Sequence, residues 1–223
     1  MNRYCIIVAA GQGTRMNTQT PKQFLIIQGL PVLFHSINAF THVDPEIRMI
    51  LVLSEKDHPL WYELVQTHSY TSPVILRPGG PTRFHSVKSG LEAVDQDGLV
   101  AIHDGVRPLV SSHLIQTCYR VAEEKGNAIP AIPIPESLRE VRQFDNRAVD
   151  RNRYVLIQTP QVFQKEQIKN AFTQTYRDTF TDEASMVEAM GYPIHLVDGD
   201  PYNLKLTNAA DLKTIEAIMS TSQ

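Results

Sequence analysis

Three glycine-containing loops in this sequence carry cations or a carboxylate directly after an apolar run. The first is Ala9-Ala10-Gly11-Gln12-Gly13-Thr14-Arg15, with Pro21-Lys22 close behind. Gly11 and Gly13 have no Cβ, so their backbone N–H groups can approach an anion closely. Arg15 and Lys22 would add charge to the same pocket. The spacing is not that of the phosphate loop G-x-x-x-x-G-K-[ST]. Nor is it the dinucleotide fingerprint, because no third glycine follows at the right place. Taken alone, the loop reads as a tight turn with solvated basic residues. The second loop is Gly79-Gly80-Pro81-Thr82-Arg83-Phe84-His85-Ser86. It serves either as a turn with a helix cap or as a nucleobase pocket. In the pocket, backbone groups and Ser86 supply directional hydrogen bonds and Arg83 braces the loop. The third is His103-Asp104-Gly105-Val106-Arg107-Pro108. A carboxylate at the end of a strand suits Mg²⁺, which prefers oxygen ligands shared with phosphates; Asp104 reads otherwise as a turn or cap residue. His103 reads as a buried, hydrogen-bonded histidine. Near the end, Asn203-Leu204-Lys205-Leu206-Thr207 offers a further lysine, or simply a strand with an exposed one.

No Ser-His-Asp or Cys-His arrangement stands out by spacing, and neither cysteine nor histidine spacing suggests zinc. Thr181-Asp182-Glu183-Ala184-Ser185 reads first as a helix N-terminus. Cations, glycine loops and one metal-type carboxylate suit phosphoryl or nucleotidyl transfer, where catalysis is mostly positioning and charge stabilisation.

These residues need elements to hold them. Short apolar runs alternate with helical periodicity: strands at Ile6–Ala10, Met49–Ser54, Val74–Leu76 and Leu99–His103, and helices at Pro31–Thr41, Pro59–Thr67 and 84–94. Leu114, Cys118 and Val121 line one face of a further helix, capped by Ser111 or Ser112 and ended by Gly126. The pattern predicts an α/β fold, a mostly parallel sheet covered by helices on both faces. In such sheets ligands bind beyond the carboxyl ends of the strands, which sets the loops at 11–22, 79–86 and 103–108 on one rim. The stretch 130–160 breaks the alternation with Ile132-Pro133-Ile134-Pro135, and prolines disfavour a central strand. It predicts a projecting β-arm at about 133–158. A strand at Tyr154–Ile157, a helix with Ile168 and Phe172, a helix from Asp182 to Met190, a strand at Ile194–Val197 and a last helix with Leu212, Ile215 and Met219 follow. Thr207 or Asn208 would cap that last helix.

The chain has 223 residues, enough for one sizeable domain over 1–223 and short for two. Its net charge of −3 lacks the basic excess of a general nucleic-acid binder. Cys5 and Cys118 read as buried, reduced core residues. The apolar run Cys5–Ala10 is too short for a signal peptide, and no segment reaches membrane-spanning length. A cytoplasmic protein without membrane partners is expected.

Ala9–Met16, Pro21-Lys22-Gln23-Phe24, Gly79–Leu91, His103–Pro108, Val149-Asp150-Arg151-Asn152, Thr159–Phe163, Thr181–Ser185 and Asn203–Thr207, in this order, resemble the 2-C-methyl-D-erythritol 4-phosphate cytidylyltransferases of the non-mevalonate isoprenoid pathway. The likeness runs from residue 4 to about 212. It implies a Rossmann-like nucleotidyltransferase domain with an arm that interlocks in a homodimer. It implies CTP and 2-C-methyl-D-erythritol 4-phosphate as substrates, with Mg²⁺ on Asp104. Arg15 and Lys22 would stabilise the transition state. Lys205 would contact a phosphate, and Ala9, Ala10, Gly11, Gly13, Gly80, Arg83 and Ser86 would hold the nucleotide. Arg151 would act across the dimer interface, with Ser137 and Thr159 near the acceptor. The arm reads Pro133-Ile134-Pro135-Glu136-Ser137-Leu138-Arg139 where many members have P-x-x-D-T-x-K. A sister enzyme using another polyol phosphate, such as ribitol 5-phosphate, is the nearest rival. A non-catalytic nucleotide sensor and a dinucleotide oxidoreductase are more distant ones.

Overall fold

A computed structural model describes residues 1–11 and 20–221. Four parallel strands form its centre: β1 (Asn2–Val8), β4 (Arg48–Leu53), β5 (Val74–Pro78) and β6 (Gly98–Asp104). Their register is level at the carboxyl ends, with Val8 beside both Val52 and Asp104, and Val52 beside Arg77. The loops that follow therefore leave from one edge.

Alternation of side chains along β1 separates the two faces of the sheet. Cys5 and Ile7 pack on one side with Leu33, Ile37 and Phe40 of α1 (Val32–Val43) and Leu114 and Cys118 of α4 (Ser112–Lys125). Tyr4 and Ile6 pack on the other with Val87 and Leu91 of α3 (Arg83–Leu91), Ile168 of α5 (Lys165–Ala171) and Val187 of α6 (Glu183–Ala189). Cys5 and Cys118 are buried free thiols, and burial pushes Cys118 up to about 12. Between β1 and α1 lie the short strands β2 (Ile26–Ile27) and β3 (Leu30–Pro31), and α2 (His58–Thr67) follows β4.

Local chemistry explains the ends of the helices. Ser111 Oγ accepts from Leu114 N–H at 3.3 Å, and Gly126 closes α4 at φ +96°, a conformation that suits a residue without a Cβ. The last helix, α7 (Ala209–Thr221), is capped by Asn208, whose side chain accepts from Ala210 N–H at 2.8 Å. Asp211 returns the bond by accepting from Asn208 N–H, also at 2.8 Å, a capping-box arrangement.

The proline-rich stretch departs from expectation. Asn127–Pro133 is not part of an arm but a sheet strand, β7, with its first half buried. Pro130 has no N–H to donate, yet its carbonyl is used, accepting from Gln158 N–H at 2.8 Å. The projecting part is the hairpin β8 (Leu138–Val141) and β9 (Asn146–Val149), with Phe144 at its tip 92% exposed. The chain then returns to the sheet. β10 (Val155–Ile157) pairs antiparallel with Ala131–Pro133, so these residues also belong to the sheet rather than the arm. β11 (Gln161–Gln164) runs antiparallel between β6 and β7. β12 (Leu196–Asp198) pairs parallel with β7. The sheet is mixed and mostly parallel, ordered β10-β7-β11-β6-β1-β4-β5, with β12 beside β7.

Candidate active site

A cleft of about 450 Å³ opens at the level carboxyl edge of the sheet. Ala9, Ala10 and Gly11 enter it from the end of β1, and Lys22 from the one-turn helix Lys22–Phe24. Gly80, Arg83 and Ser86 enter from the loop and first turn of α3, Asp104 from the last residue of β6, and Lys205 from the segment before α7. Gly13 and Arg15 lie outside the described residues.

The loop before α3 is braced from within. Gly80 N–H donates to Ser86 Oγ at 3.1 Å, and Ser86 O–H donates to Thr82 carbonyl at 3.0 Å. Thr82 Oγ1 accepts from His85 N–H and caps the helix. Ser86 is therefore committed to loop geometry, and the edges of the loop backbone face the cleft. Lys22 Nζ donates to Leu206 carbonyl at 2.9 Å, which ties the amino-terminal segment to the carboxyl-terminal one.

Asp104 is the electrostatic centre. Lys205 Nζ lies 2.9 Å from its Oδ2, Arg107 Nε 3.2 Å from the same oxygen, and Arg83 3.7 Å from Oδ1. Burial works to raise the Asp104 carboxyl, but Arg83, Lys205 and Arg107 outweigh it and hold it well below the usual carboxylate range. Arg83 also pairs with Glu183, at the start of α6. Burial alone would depress the Arg83 guanidinium, but Glu183 and Asp104 hold it above its ordinary value. Burial raises the Glu183 carboxyl, against the pull of Arg83 beside it.

A buried network sits beneath Asp104. Its N–H donates to Thr159 Oγ1 at 3.1 Å. Thr159 O–H then faces His103 Nδ1 at 3.1 Å, and His103 Nε2 faces Arg107 carbonyl at 3.3 Å. A carbonyl can only accept, so Nε2 carries the proton and Nδ1 accepts from Thr159. Burial pushes His103 down to about 3, so it is neutral. Asn203 side-chain N–H donates to Thr159 carbonyl at 2.8 Å, and Arg107 donates to Asn203 carbonyl at 2.7 Å. The end of β6, the turn at Thr159 and the segment carrying Lys205 are thereby locked together.

The structure thus separates the predicted residues. Thr159 is buried and positions Asp104 instead of lining the cleft. Ser137 and Arg151 are exposed on and beside the arm, and Arg151 donates to Pro135 carbonyl. Sequence reasoning missed Gln23, whose buried amide donates to Ala9 carbonyl at 3.0 Å and fixes the floor beside Lys22. It also missed the positions of Arg107, Asn203 and Glu183. Each lies in a stretch that carried the family likeness, but spacing alone did not separate them from turn and cap residues.

The donor set bears on the metal. No group of three or more His, Cys, Asp or Glu side chains among the described residues could hold an ion by itself. His103 has both nitrogens committed. A single cleft carboxylate fits an ion whose remaining ligands are phosphates and water, as with magnesium, and does not fit a structural zinc.

A parallel-sheet edge bearing glycine loops, converging cations and a single carboxylate is the arrangement that an α/β transferase handling phosphates requires. A family model described as 2-C-methyl-D-erythritol 4-phosphate cytidylyltransferase matches residues 4–221. The enzyme of that name from Bacteroides thetaiotaomicron is 44% identical over 98% of this chain and 100% of its own length. That from Phocaeicola vulgatus is 46% identical with the same coverage. The crystal structure of the Thermus thermophilus enzyme superposes with a TM-score of 0.80 at 29% identity, over 99% of this chain and 100% of that one. A 4-diphosphocytidyl-2C-methyl-D-erythritol synthase from Anaerococcus prevotii gives 0.83 at 25% identity, over 98% of each chain. The chain belongs to the 2-C-methyl-D-erythritol 4-phosphate cytidylyltransferase family. No helix among the described residues is long and apolar enough to cross a membrane.

Proposed function

We propose that this protein transfers the cytidylyl group of CTP to 2-C-methyl-D-erythritol 4-phosphate, giving 4-diphosphocytidyl-2-C-methyl-D-erythritol and pyrophosphate. The observation that carries this reading is the convergence of Lys22, Arg83, Asp104 and Lys205 on one cleft in a chain of this family. A phosphate oxygen of the acceptor attacks the α-phosphorus of CTP, and the bond to the pyrophosphate oxygen breaks. No covalent bond to the protein is needed. Backbone groups of Ala9–Gly11 and of the Gly80–Ser86 loop hold the nucleotide. Lys22, with Arg15 of the preceding loop, offsets the charge that builds at the α-phosphorus, and Lys205 meets a phosphate. Asp104 would hold Mg²⁺, which supplies charge neutralisation to the triphosphate when bound.

The acceptor side is completed by a second copy. Ser137 and Arg151 are exposed at the two ends of the arm and do not line the cleft of their own chain. Tyr154, Val155, Leu156 and Ile157 form a consecutive exposed apolar run, 39–50% accessible, beside the arm. A run of that kind marks a surface to be covered. A homodimer would bury it and carry Ser137 and Arg151 to the partner's cleft.

Pyrophosphate release tests the assignment, with CTP, Mg²⁺ and either 2-C-methyl-D-erythritol 4-phosphate or ribitol 5-phosphate. Release with the first is expected. Release with ribitol 5-phosphate alone would overturn the acceptor, and release with neither would overturn the reaction.

A further inference from the structure

Glu183 is held in the interior by its surroundings. Gln161 of β11 clamps the start of α6 from both sides. Its amide donates to Asp182 Oδ2 at 2.9 Å, and its carbonyl oxygen accepts from Ala184 N–H at 2.9 Å. Asp182 adds the cap, accepting from Ser185 N–H at 2.9 Å. Between these anchors the Glu183 side chain is 2% exposed, and one of its oxygens pairs with Arg83. The other oxygen, Oε2, has no hydrogen-bond partner among the described residues.

Taking a carboxylate out of water is costly, and apolar residues of similar size serve a fold at least as well. A buried carboxylate with one oxygen unpartnered, whose cation lines the ligand cleft, therefore points away from a purely structural purpose. Arg83 is the first residue of α3 and the end of the braced loop. Its fork spans Glu183 on one side and Asp104, 3.7 Å away, on the other. Without Glu183, the guanidinium would be free to close on Asp104, where Lys205 and Arg107 already compete, or to swing into the cleft.

We propose that Glu183 is a positioning residue for the nucleotide. Through Arg83 it holds the Gly79–Ser86 loop and the Asp104 carboxylate in the arrangement that CTP meets. This rests on the reading of the cleft as the CTP site.

The test is a double-mutant cycle between Glu183→Gln and Arg83→Met, with kcat and KM measured for both substrates. Glu183→Gln keeps the shape and removes the charge. Its kcat/KM for CTP should fall roughly ten- to hundred-fold, the scale of one hydrogen bond to a charged group, with the acceptor KM within about two-fold. In the Arg83→Met background the same change should cost nothing further, because Glu183 acts only through Arg83. A wild-type kcat/KM for Glu183→Gln would overturn the proposal, as would an equal loss in both backgrounds. Should Glu183→Gln fail to fold, Arg83→Lys replaces it. A lysine cannot span both carboxylates, so the same loss is expected and normal kinetics would refute the bridge. The Arg83 guanidinium N–H signals supply a readout without nucleotide. Their protection from exchange should be present in the wild type and lost in Glu183→Gln, and absence of protection in the wild type would overturn the placement. That readout stands even if CTP turnover fails, so the two readings fall separately.

Discussion

Replacing Gly79 by alanine probes the cleft at its tightest seam. A Cβ at Gly79 would stand 2.3 Å from the Cβ of Ala10 and 3.3 Å from the carbonyl oxygen of Leu53. Carbon atoms rest at about 3.5–4.0 Å, so the two loops must part by roughly 1 Å. β4 cannot yield, because Leu53 is fully buried and its carbonyl accepts from Gly79 N–H at 2.7 Å. The Gly79–Ser86 loop moves instead, and the edge of the nucleotide site moves with it. Overpacking of this kind costs about 1–3 kcal/mol, or about 2–12 °C in melting temperature for a chain of this size. A displacement of about 1 Å costs on the order of 10²-fold in rate. Thermal melting and the kcat/KM for CTP are the assays. The decisive control is Ala10→Gly, which removes the carbon that the new methyl strikes. The double variant should recover most of both losses. If Gly79→Ala keeps wild-type melting and kinetics, or if Ala10→Gly restores nothing, the steric account is wrong.

Three further outcomes are expected. Lys22→Ala should lower kcat by roughly 10²–10³-fold while equilibrium dialysis finds CTP affinity within a few-fold of wild type; normal turnover would remove Lys22 from the chemistry. Arg151→Ala should raise the acceptor KM and leave the KM for CTP alone. Mixed with Lys22→Ala protein at low acceptor concentration, it should regain activity. A heterodimer would then hold one site with an intact cleft and an intact arm, and no recovery would place Arg151 in its own subunit's site. His103→Gln should flatten the pH dependence of stability. Native His103 stays neutral down to about 3, whereas its ordinary value is 6.5. The unfolded chain thus binds the extra proton first, and stability falls as pH drops from 6.5 toward 3, by about 1.4 kcal/mol per unit. Urea unfolding in EDTA between pH 7 and pH 5 should show the wild type losing about 2 kcal/mol more than the variant, and parallel slopes would refute the neutral histidine.

The legible part of this protein was local. Apolar runs announced β1, β4 and β6 because strands buried on both faces leave a continuous apolar signature, while β5, at the sheet edge with Ile75 exposed, showed only the short run Val74–Leu76. Gly126 was readable as a helix end and the N-caps to within one residue, Ser111 or Ser112 and Thr207 or Asn208, because capping depends on a few adjacent residues; the structure selects Ser111 and Asn208. The same locality placed Ala10, Gly80 and Asp104 at strand ends on one rim. β7 and β11 were not readable. The prolines at 133 and 135 argued against a strand here, and only Gln158 N–H, which donates to the Pro130 carbonyl, shows that this stretch still serves the sheet. β11 is four residues long, too short to announce itself by period.

By itself, the sequence determined the family, the parallel core and the set of charged residues available to a phosphate, since each follows from residue types at short spacing. The tertiary structure alone decided which of those residues meet. Lys22 and Leu206 lie 184 positions apart and Arg83 and Glu183 100 apart, yet each pair is in hydrogen-bond contact. Only the common edge of the sheet brings such distant segments together. That closure turned Thr159 from an expected ligand contact into the support beneath Asp104, and it gave buried Glu183 a cation to hold.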